Sequence, residues 1–278
     1  MTILALLIAL AIERVTVKLP QWQGQTYAKH YLDWVTEKAW LSEDSTSVAW
    51  FVVAFLPALC CAVLMSLLPG LLEFVVQTLI LFVCLGCQAI RDTYKCFLQA
   101  ANRGDVEACY LYSTQMGHCD SQTDKGATFG LRLVWLNYQH YAAVILFFVA
   151  FGAPGAIFYV LAREAFDYAC NEESFSVTSA SAVRHLADFI PVRLSAFGLL
   201  LVGNFAHAMP VWLQSLFAFS ERPSKTLTRV ASSAEVLPNP EQKDVDQATE
   251  PAMLVKLAKR NLLFLLVVVS ILTVVGVV

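Results

Sequence analysis

Apolar residues along this chain gather in long runs separated by polar stretches. The runs at 48–68, 71–90, 141–161 and 261–278 are long enough, or nearly so, to be read as membrane-spanning helices. The last would extend about 27 Å at 1.5 Å per residue, close to the ~30 Å hydrocarbon core of a bilayer. A fifth run, 194–205, is shorter. Extended to Trp212, it either crosses fully or dips in and returns. A sixth covers 2–12 and continues to Leu19 past Glu13, Arg14 and Lys18. No Lys or Arg precedes it, so it lacks the positive start of a secretory signal and reads as a short first span with its charges near the inner end. The pattern predicts an all-α, polytopic helical membrane protein of about six spans.

The polar stretches predict helices of their own. Within 22–41, Tyr27, Tyr31, Trp34, Val35 and Leu41 recur at helical spacing, as in an amphipathic helix lying at the membrane interface. Residues 91–116 read as a cytoplasmic helical hairpin parted at Gly104, with Asp105 placed to cap the second helix and Phe97, Leu98 and Ala101 facing Cys109 and Tyr112. Pro223, Pro238, Pro240 and Pro251 stand among Ser, Thr and charged residues, so 221–260 reads as a flexible cytoplasmic linker with a short helix around 225–231. The predicted domains are a bundle over 1–220, that linker, and a C-terminal transmembrane helix at 261–278. Lys and Arg concentrate in 13–47, 91–132 and 206–260, while 162–193 holds only Arg163, Arg184 and Arg193. The positive-inside rule then places the three rich stretches in the cytoplasm and both termini outside.

Composition narrows the class. Of 278 residues, 58% are hydrophobic and 15% charged, too few polar residues to cover a soluble protein of this length. A net charge of −3 without a dense basic patch argues against a nucleic-acid partner; the lipid bilayer is the first partner expected. Cys60, Cys61, Cys84 and Cys87 lie in apolar runs and read as small hydrophobes; a metal at Cys84 and Cys87 would need ionised thiolates in hydrocarbon. Cys109, His118 and Cys119 share one polar stretch but lack a fourth ligand. No cofactor and no metal are expected. Phosphate-binding, dinucleotide, zinc-protease and nucleophile-elbow motifs are absent, so the reading leans away from an enzyme.

Charged residues near membrane depth are costly and therefore informative. Glu13 and Arg14 end the first run, Arg91 follows the third, Arg163 ends the fourth, and Asp188 and Arg193 bracket Pro191 before the fifth. Pro191 is expected to interrupt a helix there, leaving backbone groups that Asp188 and Arg193 would satisfy. Each charge has two readings, a residue snorkelling at a span end or one facing the bundle to pair with another helix, a ligand or a partner. Glu13, Arg14, Arg91, Arg163, Asp188, Pro191 and Arg193 are the candidate interaction or ligand-binding residues. Those other than Pro191 are expected to form an ionic framework at the inner and outer ends of the bundle. A single-span partner with its own intramembrane acid, pilin-like proteins being one such class, would pair with Arg14 or Arg193.

In order along the chain, Glu13-Arg14, Arg91 and Tyr94 before Leu98-Gln99-Ala100-Ala101, Trp135-Leu136-Asn137-Tyr138, Leu161-Ala162-Arg163, Asp188 to Leu194 and Ala208 to Trp212 resemble the AmpE family. That family comprises bacterial inner-membrane proteins associated with β-lactamase induction. The resemblance runs nearly end to end and is most specific at 188–194. It implies an inner-membrane regulatory role alongside the cytosolic cell-wall-recycling amidase AmpD. The family is in turn distantly similar to the CobD/CbiB cobalamin-biosynthesis membrane proteins through their related Ile-Pro-Ala-Arg-Leu element. The alternative reading is accordingly a CobD/CbiB-like synthase or small-molecule sensor.

Overall fold

The computed structural model describes residues 2–41, 45–118, 128–172, 175–218, 221–235 and 248–276. Among these residues all regular structure is helical. In chain order the helices are α1 (Thr2–Val15), α2 (Gly24–Glu37), α3 (Ser47–Ser66), α4 (Gly70–Cys84), α5 (Gln88–Asn102), α6 (Val106–Gln115), α7 (Phe129–Asn137), α8 (Ala143–Asn171), α9 (Val177–Val202), α10 (Phe205–Phe217), α11 (Pro223–Ala234) and α12 (Thr249–Val275), with a π turn at Tyr138–Ala142 between α7 and α8. By length and composition α3, the continuous run Phe129–Asn171, α9 and α12 could each cross a membrane. A fifth candidate arises if α4 and α5 count as one bent span. The chain is a polytopic helical membrane protein. The expected first span, α1, has 14 residues, about 21 Å, and does not reach the ~30 Å of the hydrocarbon core.

The run Phe129–Asn171 is not straight. Gly152 has φ 68° and ψ −156°, a conformation open essentially to glycine alone, and Pro154 follows it. Beyond that point the chain doubles back. Arg163 hydrogen-bonds the Gln139 carbonyl at 3.1 Å, and the rings of Phe147 and Tyr159 stack with centroids 5.1 Å apart. Twenty-four residues of straight helix would hold Arg163 and Gln139 about 36 Å apart. The expected fourth span at 141–161 is therefore folded in two at Gly152, and the apolar part of its first limb, 143–151, extends only about 13 Å. This also moves Arg163, which returns to the level where the limb began.

Other expectations shift for equally local reasons. The run 71–90 is interrupted at Gly86, whose φ of +71° ends α4 before α5 begins. Pro191 does not break the chain: α9 continues through it from Val177 to Val202, because buried Ala187, Val192, Ala196, Leu199 and Leu200 hold both sides of the proline in packed helix. The span expected at 194–212 thus starts earlier and stops at Val202, before α10. Within the expected linker 221–260, α11 is a packed helix that buries Leu227, Val230, Ala231 and Ala234, and α12 begins at Thr249 rather than 261. Residues 236–247 of that linker lie outside the described residues.

The chain divides into two compact units. The first comprises Met1–Gly86, Gln139–Pro191 and Val267–Val278, and the second Cys87–Tyr138 and Val192–Leu266. In the first, α8 is the hub against which α1, α2, α3 and α4 pack. The buried face of α2 is Ala28, Leu32 and Val35; Tyr27 and Trp34 remain on its exposed side. In the second unit α5 and α6 form the hairpin parted at Gly104. The Asp105 carboxylate caps α6 by accepting from the Ala108 N–H at 3.0 Å. The hairpin core joins Phe97, Ala100 and Cys109 to Phe129, Leu133 and Leu136, with Leu98, Ala101 and Tyr112 packed against it.

Candidate functional site

In the first unit, helical periodicity sets Tyr159, Arg163 and Asp167 four residues apart on one face of the returning limb of α8. The same spacing pairs Arg184 and Asp188 on α9. Tyr159 meets Asp188 and Asp167 meets Arg184, in opposite order along the two helices, so these are antiparallel neighbours whose polar groups interlock. The Tyr159 hydroxyl donates to Asp188 Oδ1 at 2.9 Å. Arg184 Nε lies 3.7 Å from Asp188 Oδ2, and its Nη1 donates to Asp167 Oδ1 at 3.2 Å. The Arg184 guanidinium also sits 4.5 Å from the centre of the Phe166 ring, a cation–π contact. Asp188 and Tyr159 are each 1% exposed. A carboxylate this dry is sustained only by direct donors, which this ladder supplies.

Arg163, 2% exposed, is held in the same way. Its Nε and Nη2 donate to Glu164 Oε1 at 3.0 and 2.8 Å, and its Nη1 takes the Gln139 carbonyl. That carbonyl belongs to the π turn, where the widened helix frees backbone oxygens from their usual partners. The neighbouring His140 carbonyl accepts the Gly86 N–H at 2.9 Å. Beside it the Tyr141 hydroxyl donates to Glu13 Oε1 at 2.8 Å. A Cβ added at Gly86 would lie 2.5 Å from that oxygen and push the Glu13 carboxylate aside, and the positive φ there favours glycine. Lys18, also buried, donates to the carbonyls of Phe82 and Leu85, closing the end of α4, and lies 4.3 Å over the Phe82 ring.

The sequence candidates are thus distributed. Glu13, Arg163 and Asp188 belong to the buried network of the first unit, whereas Arg14, one residue past Glu13, is exposed. Pro191 is buried within α9. Arg91 and Arg193 belong to the second unit. Arg91 is half-buried in the first turn of α5, and Arg193 donates to the Ala218 carbonyl at 3.4 Å while its own carbonyl accepts from the Trp212 indole at 3.3 Å. The residues missed from sequence are Tyr141, Tyr159, Asp167 and Arg184. For Tyr159, Asp167 and Arg184 the signal was present in the four-residue spacing of Tyr159, Arg163 and Asp167 and of Arg184 and Asp188; Tyr141 had none. The partner helix of each row was not legible. Of the three residues with metal-ligand spacing, Cys119 lies outside the described residues, and Cys109 points into the hairpin core, where burial pushes its thiol up and disfavours a thiolate.

A multi-helix membrane protein whose buried charges tie helix to helix through a dry ladder is the class these observations define. The chain belongs to the AmpE family: the family model described as "Regulatory signalling modulator protein AmpE" matches residues 1–278. It is similar to Protein AmpE of Shigella flexneri, with 27% identity over 236 residues, covering 77% of this chain and 79% of that protein. No solved structure matches the chain.

Proposed function

We propose that this protein is a multi-pass regulator of the bacterial inner membrane, linked to β-lactamase induction and cell-wall recycling, that acts by binding another membrane protein and not by catalysis. The family supports the regulatory part. The observation that carries the interaction part is the outer face of α1. Leu4, Leu7, Ala11 and Arg14 recur at helical spacing and are all exposed, so a short apolar stripe ends in an exposed guanidinium. A helix too short to span the hydrocarbon gains from a helical neighbour, and an arginine at membrane depth gains from an acid. The partner that fits is a single-span helix with an acidic residue near the matching level. The functional link to the amidase AmpD would follow from that regulatory role.

Co-purification from native membranes in mild detergent, with mass spectrometry of proteins and small molecules, tests this reading. The wild-type protein should bring down a stoichiometric single-span protein, and Arg14→Ala should lose it. If Arg14→Ala and Arg193→Ala both retain every membrane partner, the charge-pairing reading is wrong. A corrinoid-like, nucleotide or cell-wall-fragment ligand in place of a protein would favour the alternative, a CobD/CbiB-like synthase or small-molecule sensor.

A further inference from the structure

A π turn contains one residue more than the α-helix around it needs, and it relaxes when the adjoining segment advances by one residue, a 100° rotation and a 1.5 Å shift. It persists only where something outside the turn holds it. At Tyr138–Ala142 three bonds from three different segments do so. Arg163, on the returning limb of α8, holds the Gln139 carbonyl; Gly86, at the α4–α5 junction, holds the His140 carbonyl; and Glu13, on α1, holds the Tyr141 hydroxyl. Opposing them, the Gln139 side-chain amide is 4% exposed, and its nitrogen has no hydrogen-bond partner among the described residues. The turn is thus clamped from outside and imperfectly satisfied within. The limb it controls is short, running from Ala143 to the break at Gly152, and it carries Phe147, whose ring stacks on Tyr159, the residue bound to Asp188.

We propose that the Tyr138–Ala142 turn is a register switch. Arg163, Gly86 and Glu13 hold it wide. When the Arg163 bond to Gln139 is lost, it relaxes to α-helical register, turns Phe147 away from Tyr159 and so alters the Tyr159–Asp188–Arg184 ladder. The switch rests on the regulatory reading for its purpose, but its test reads the turn directly and fails separately from partner capture.

The experiment is hydrogen–deuterium exchange of the full-length protein in lipid nanodiscs, followed over peptides covering 138–151. Wild type should show a single slow isotope envelope. Arg163→Gln and Tyr141→Phe should each show two envelopes, one per register, with amides of 139–147 exchanging roughly tenfold faster. Peptides from α2 and α3 should remain as in wild type. A single unchanged envelope in both variants overturns the proposal. So does an even loosening across all helices of the first unit, which would mean lost packing instead of a change of register. If Arg163→Gln does not accumulate folded, Tyr141→Phe, which removes one hydroxyl, decides by the same criteria. Loss of partner capture with an unchanged envelope would leave the functional reading standing and this one overturned.

Discussion

Asp188 shows what a fully buried charge requires. With 1% of its surface exposed, it depends on the Tyr159 hydroxyl and the Arg184 guanidinium, and removing it leaves Arg184 half-buried with one carboxylate fewer. Asp188→Ala should therefore destabilise the protein by about 3–5 kcal/mol, whereas Tyr159→Phe, which deletes a single neutral donor, should cost about 1–3 kcal/mol. Thermal unfolding in detergent would rank the two, and the reverse order would contradict the ladder. Cys109 gives a residue-scale prediction with a pH axis. Burial raises its pKa, so at neutral pH less of it is thiolate than of an ordinary exposed thiol. Its maleimide labelling should be slow at pH 7 and should keep rising with pH after an exposed reference thiol has levelled off.

At the scale of elements, the fold of α8 changes the sidedness of the chain. As one straight span, 141–161 would place Cys170 on the opposite side of the membrane from α2. Folded back at Gly152, it brings Tyr168 to Thr36, their hydroxyls 3.3 Å apart, so Cys170 and the end of α2 share a side. An impermeant maleimide applied to intact cells should label Cys170 and a cysteine at Lys38→Cys together or leave both unlabelled; split labelling would refute the hairpin. Another element-scale test concerns α11, expected as a short helix around 225–231 within a flexible linker and found as a packed helix over Pro223–Ala234. Leu227 is fully buried in it, and Leu227→Ala should cost about 2–5 kcal/mol, a loss no flexible linker would register.

At the scale of the molecule, two compact units each own a distinct core. The first is built round α8 and its polar ladder; the second is built round the α5–α6 hairpin and α7. Local opening follows local contacts, so hydrogen exchange should show Asp188→Ala loosening 153–191 and Leu227→Ala loosening 223–234 and 129–137. Loosening of the whole chain by either variant would mean that the units unfold as one. The sequence places neither boundary, because each unit is assembled from segments far apart in the chain, and hydrophobic runs carry no record of which run they will meet.

The sequence by itself determined that this is an all-helical membrane protein, since so apolar a composition with helix-length runs has no other stable form in lipid. It also marked where several helices begin and end, because caps such as Asp105 and breakers such as Gly104 act through their immediate neighbours. It marked Glu13, Arg163 and Asp188 as costly charges without naming what meets them. Tertiary structure alone decided that Gly152 turns the chain back, that Pro191 is carried within an unbroken helix, and that Tyr141, Tyr159, Gln139 and Arg184 complete the network. Those outcomes depend on contacts between residues tens to more than a hundred positions apart. The free energy of burying a charge is settled by the donors that reach it, and no local pattern specifies those donors.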